Sequence, residues 1–111
     1  MMHSRLVLAA AATACTLAVS QAPPQAPPAF APATARGGLV FVSGILPAAP
    51  MPAGFDAQAA QVLDELRRRL QAAGTSLDRV ASTSVYLASA SDFAALNTVW
   101  AKYWPSTPPA R

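Results

Sequence analysis

The sequence predicts an α+β domain, a two-layer fold in which a sheet carries two helices on one face. Three observations predict it. A glycine pair, Gly37-Gly38, separates two short extended segments. Two stretches farther on repeat apolar residues at three- and four-residue intervals, the period of a helix with one buried stripe. Between them Val80 to Leu87 is rich in β-branched and aromatic residues, as strands are. The order strand, strand, helix, strand, helix builds a sheet with a helical layer against it.

Residues 1–20 read as an export signal. Arg5 is followed by an uninterrupted apolar and small-residue run from Leu6 to Val19, and Ala18-Val19-Ser20 offers small residues for cleavage near Ser20. The run is too short and alanine-rich to span a membrane comfortably, and Cys15 sits too deep within it for lipid attachment. Residues 21–29 follow as a proline-rich linker, and 30–111 form the domain. The expectation is an exported protein without stable membrane anchoring; a downstream start with an unstructured leader is the alternative, and would leave the protein cytoplasmic. Removing the segment removes the only cysteine, Cys15, and the only histidine, His3. That excludes thiol nucleophiles, disulfides, imidazole bases and Cys/His zinc sites from the mature domain.

Leu39-Val40-Phe41-Val42 is apolar enough for a buried strand, closed by Ser43-Gly44. Pro47 to Gly54 is too rich in proline and glycine for regular structure. The first helix is expected from Asp56, as N-cap, to Ala73, with Gly74 ending it in the left-handed conformation. Val62, Leu63, Leu66 and Leu70 form its apolar stripe. Arg67-Arg68-Arg69 falls mostly off that stripe and reads as a solvated face, with Asp64 spaced to pair with Arg68. The formal charge of +3 is otherwise scattered, so nucleic acid is not an expected partner. Ser91 or Asp92 caps the second helix, whose apolar face is Phe93, Leu96, Val99, Trp100 and Tyr103, and Trp104-Pro105 ends it. At 111 residues, 53% of them hydrophobic and 12% charged, the chain makes one small domain of marginal stability, for which oligomerisation is expected.

Several segments in succession carry a family resemblance: Phe30-Ala31-Pro32-Ala33, Gly38 to Gly44, Ala57 to Leu63, Ala72 to Asp78, Val85-Tyr86-Leu87, Asp92 to Asn97, and Pro108-Pro109-Ala110-Arg111. Together they resemble the RidA (YjgF, reactive intermediate deaminase) family from about Phe30 onward. The resemblance implies a chorismate-mutase-like fold, a homotrimer with clefts between subunits, and hydrolysis of 2-imino acids to keto acids and ammonia with no metal or organic cofactor. It assigns Arg111 to the substrate carboxylate, Ser43 and Gly44 to the cleft wall, and Asn97 to the neighbourhood of an adjoining subunit's site. Arginine suits the first role because its planar fork matches a carboxylate at two points.

The chain also departs from the family pattern. Ile45 stands where the family often has glutamine, and Ala33 lies where some members offer a tyrosine. The family continues past the arginine with two strands, the last bearing a water-orienting glutamate. The expectation is therefore a C-terminally incomplete domain with its final strands missing and no assignable catalytic residue, poorly folded or inactive as an imine hydrolase on its own. A non-catalytic exported protein that binds a small carboxylate, or an interaction module, is the second reading. Endoribonuclease activity, an older label for the family, ranks last because the mature chain lacks histidine and a dense basic and aromatic surface.

Overall fold

Gly37 and Gly38 take φ values of 57° and 76°, the pair of left-handed residues that a two-residue hairpin turn requires. They join β1 (Ala33–Arg36) to β2 (Leu39–Val42) in an antiparallel pair that registers Ala33 with Val42 and Arg36 with Leu39. The computed structural model describes residues 26–111; the expected signal segment and most of the proline-rich linker lie outside the described residues. The buried strand expected at Leu39 to Val42 is only half covered. Val40 and Val42 turn toward α1, whereas Leu39 and Phe41 remain 60% and 59% exposed. A strand sends alternate side chains to opposite faces, and here the helical layer covers one of them.

The first helix, α1, spans Phe55–Ala72. Its N-cap is Gly54 (φ 89°) rather than Asp56, which lies inside the first turn, where a carboxylate complements the helix dipole. Gln58 fixes the entry: its backbone N–H donates to the Gly54 carbonyl at 3.3 Å and its Nε2 to the Pro52 carbonyl at 2.9 Å. Gly74 ends the helix as expected, with φ 83°. The Thr75 N–H reaches back to the Leu70 carbonyl at 2.9 Å and the Gly74 N–H to that of Gln71 at 3.0 Å, the paired bonds of a Schellman motif. Leu63 and Leu70 are buried, while Val62 and Leu66 are half-buried at the edge of the stripe.

The expected Asp64–Arg68 pair does not form. Asp64 pairs with Arg67 at 3.5 Å, and Glu65 takes both Arg68 and Arg69, at 2.7 and 2.8 Å. Glu65 lies three and four positions before those two arginines, so a single carboxylate bridges both guanidinium groups on one helix face.

Val80 to Leu87 corrects the expectation of a long strand. After a 3₁₀ turn at Leu77–Arg79, its pairing is one parallel bridge, Ser82 with Ala110. The Thr83 N–H donates to the Ala110 carbonyl at 2.9 Å, and the Ala110 N–H to the Ala81 carbonyl at 3.1 Å. β-Branched composition suits a pleated surface, but a ladder also needs a paired length of backbone. A second 3₁₀ turn, Ala90–Asp92, leads into α2 (Phe93–Tyr103). Asp92 occupies the N-cap without a side-chain cap bond; Ser89 Oγ instead accepts from the Ser91 N–H at 3.3 Å.

The core lies between the helices. Leu63 of α1 meets Leu96, Val99 and Trp100 of α2 and Trp104 just beyond it, with Phe55, Leu66, Leu77, Val80, Leu87 and Tyr103 around them. The Trp100 and Trp104 ring centroids stand 4.4 Å apart, a tilted aromatic contact. Trp104 satisfies its indole N–H on the Leu77 carbonyl at 2.8 Å, tying the end of α2 to the turn after α1. Phe93, expected on the buried face, is 54% exposed. It opens α2, one turn beyond the area that α1 covers, and faces Arg111 instead.

Candidate functional site

Positions 93, 97 and 100 fall at i, i+4 and i+7, so Phe93, Asn97 and Trp100 line one strip of α2. Arg111 lies over this strip. Its Nη2 donates to Asn97 Oδ1 at 2.6 Å. Its Cζ sits 5.0 Å from the Trp100 ring centroid and 5.5 Å from that of Phe93, within cation–π range of both. The Ser82–Ala110 bridge fixes the backbone one residue before the guanidinium, so its base is anchored as well as its tip. Arg111 remains exposed, while Trp100 beneath it is buried. Chemically this is a cation held close to two aromatic rings, with four of its five N–H donors left over after the bond to Asn97.

Ser43 and Gly44 occupy a different part of the molecule. The Ser43 hydroxyl donates to the Ala31 carbonyl at 2.6 Å, its N–H donates to the Pro32 carbonyl at 3.0 Å, and its own carbonyl accepts from Arg69 Nη1 at 3.4 Å. These bonds close the open end of the hairpin and tie it to α1. At Gly44 an added Cβ would meet no atom within 4 Å, so local packing leaves the space beside it open. Among the described residues no hydrogen bond joins the Ser43–Gly44 turn to the Asn97–Arg111 pair. The structure thus brings two of the four anticipated residues together and ties the other two to the hairpin.

An open cleft of about 480 Å³ lies between Ile45, Leu46 and Ala48 on one side and Gln61, Glu65 and Arg69 of α1 on the other. Its charges are largely spent on one another. Hydrogen bonds from Arg68 and then from Arg69 hold the Glu65 carboxyl down at about 2, and Glu65 in turn raises Arg68. At the helix–helix seam the Tyr103 hydroxyl lies 3.1 Å from the Ala60 carbonyl and 2.9 Å from Asp64 Oδ1. Burial pushes Tyr103 above its ordinary value, and the Asp64 carboxylate adds to the shift. Ser76 donates to Asp78 Oδ1 and thereby lowers the Asp78 carboxyl. Among the described residues no three His, Cys, Asp or Glu side chains gather within reach of one metal ion.

Phe93 and Trp100 were not anticipated as site residues. Aromatic residues at helical spacing ordinarily mean core, and Trp100 is core on its other side. The available signal was the polar Asn97 set between two aromatics on one helical strip.

The family model for Endoribonuclease L-PSP matches residues 20–111. Protein HMF1 of Saccharomyces cerevisiae is 36% identical over 77 residues, which is 66% of this chain and 60% of the yeast protein. Reactive Intermediate Deaminase A, chloroplastic, of Arabidopsis thaliana is 37% identical over 78 residues, 66% of this chain and 42% of its own length. The chain therefore spans less than two thirds of these curated relatives. The crystal structure of RidA from an Antarctic Psychrobacter superposes with a TM-score of 0.71 at 37% identity, covering 79% of this chain and 75% of that one. The two-stranded hairpin, the paired helices and the extended segment between them are accordingly part of the α+β chorismate-mutase-like fold, and the chain belongs to the RidA/YjgF (Endoribonuclease L-PSP) family.

Proposed function

We propose that this protein binds small 2-imino acids through Arg111 and promotes their hydrolysis to 2-keto acids and ammonia, acting as a homotrimer. The observation that carries this reading is the Arg111 guanidinium, exposed and oriented by Asn97 over Trp100. A held guanidinium supplies two parallel N–H donors to the two oxygens of a carboxylate. Water then adds to the imine carbon next to that carboxylate, the C–N bond breaks, and nitrogen leaves as ammonia with the protons that water supplied. The part played by Arg111 is capture and orientation, which convert an encounter with water into attack at a fixed geometry. Similarity to the Arabidopsis Reactive Intermediate Deaminase A supports the reaction class. In the trimer, Ser43 and Gly44 would line the cleft from the hairpin side.

The test generates 2-iminopropanoate in situ from alanine with an amino acid oxidase and follows its decay with a semicarbazide trap. Wild-type protein shortens the lifetime of the imine, and Arg111→Ala abolishes the effect. Arg111→Lys also loses most of it, because an ammonium cannot present a planar two-point fork. Equal decay with and without protein refutes the hydrolase. If pyruvate then still binds through Arg111, the reading becomes a carboxylate-binding protein without turnover.

A further inference from the structure

We infer that Asn97 is the positioning residue for Arg111: it sets the direction of the guanidinium fork from α2 and does not itself need to contact the substrate. This deepens the proposed function and rests on Arg111 being the carboxylate-binding group. Three restraints on the arginine are visible, and each fixes something different. The Ser82–Ala110 bridge, with the Thr83 N–H on the Ala110 carbonyl at 2.9 Å, fixes where the side chain starts. The Trp100 ring, 5.0 Å from Cζ, and the Phe93 ring, 5.5 Å away, fix the height of the guanidinium above α2. Neither aromatic contact by itself sets the direction of the N–H groups, because cation–π attraction acts on the charge near the ring and is not aimed at a single donor.

Rotation is fixed by the 2.6 Å bond from Nη2 to Asn97 Oδ1. With it the remaining N–H groups point in one direction; without it the fork turns and offers its donors to any side. An amide suits the role better than a carboxylate. Its oxygen accepts one N–H without cancelling the positive charge that the ligand needs, whereas an acid at 97 would form an ion pair and occupy the anion's place electrostatically. Asn97 is exposed on the helix surface, so its replacement leaves the core untouched.

The experiment uses the purified protein with ¹⁵N-labelled arginine, assigning the Arg111 side-chain signals by their loss in Arg111→Lys. Propanoate binding is measured alongside, and 2-iminopropanoate turnover gives kcat and KM. In wild type the Arg111 Nη protons give separate signals because rotation is hindered. Asn97→Ala merges them, weakens propanoate binding by about tenfold and lowers kcat/KM by at least that factor. Asn97→Asp keeps the separate signals yet loses at least as much affinity, a split between order and affinity that a merely structural residue would not produce. Separate, unshifted Arg111 signals in Asn97→Ala overturn the inference, as does propanoate affinity equal to that of wild type. The signal pattern reads the positioning without any substrate. Absence of turnover would therefore refute the hydrolase while leaving the role of Asn97 decided on its own data.

Discussion

Among the described residues, Glu65 is the one whose ionisation is tied most strongly to the folded structure. It accepts from Arg68 Nε and Nη2, each at 2.7 Å, and from Arg69 Nε at 2.8 Å, and these bonds lower its carboxyl from 4.5 to about 2. A folded value below the unfolded one means the contribution is complete above about 4.5 and is lost as the pH falls through the folded value near 2. The stability difference between wild type and Glu65→Gln is therefore constant from neutral pH down to the unfolded value and closes below it. Urea unfolding of both proteins at about pH 7 and at about pH 2.5 checks this. A difference that persists undiminished at the lower pH would show that the Arg68 and Arg69 contacts do not depend on the Glu65 charge. Arg69 adds a structural link, since its Nη1 also reaches the Ser43 carbonyl at 3.4 Å, so Glu65 orients a side chain that joins α1 to the hairpin.

At the scale of the elements, the helices were legible and the third strand was not. Helices are written in local spacing. The Val62, Leu63, Leu66, Leu70 stripe and the Gly74 stop marked α1 to within two residues at its start and one at its end. Gly37-Gly38 marked the hairpin for the same reason, because positive φ at both turn positions is a local demand. A strand is completed by a partner remote in sequence, so the composition of Val80 to Leu87 could not reveal that its pairing is a single bridge to Ala110. The candidate site divides in the same way. The family resemblance pointed to Arg111 and Asn97, while the roles of Phe93 and Trp100 depended on where the chain returns to α2. The Schellman end of α1 gives this scale its prediction. Gly74 holds φ 83° with no atom within 4 Å of an added Cβ, so an alanine there meets backbone strain and no clash. Gly74→Ala should destabilise the fold by about 1–2 kcal/mol, read as a lower urea midpoint at unchanged slope. A larger loss would show that Gly74 is needed for packing, and no loss would mean that the motif relaxes freely.

The whole molecule is covered on one side. Among the described residues Leu63, Leu70, Leu96, Val99, Trp100 and Trp104 are the buried apolar ones, and no large side chain is below 2% exposure. On the opposite face of the hairpin, Leu39 and Phe41 stand 60% and 59% exposed, and Tyr86 of the extended segment is 94% exposed. Apolar side chains concentrated on the outer face of a sheet are stabilised by a second surface that removes them from water, at about 25 cal/mol per Å² covered. A specific contact of ordinary size takes about 800 Å² from each partner, more than this hairpin alone provides. Leu39 and Phe41 would then form part of such a contact, which must draw on other exposed residues as well. Sedimentation equilibrium should find the wild-type protein associated, with three copies as the proposed state. Phe41→Asp should shift it toward monomer, because a carboxylate buried at an apolar contact without a partner is costly. Folding and association are linked, so its thermal midpoint should fall and become less dependent on protein concentration. Leu46→Asp is the control: Leu46 is 85% exposed and lies in the loop after β2, outside the hairpin face, so the same charge there should leave the mass unchanged. Equal association of the two variants would place the contact elsewhere, and a monomeric wild type at the highest concentration tested would refute the homotrimer.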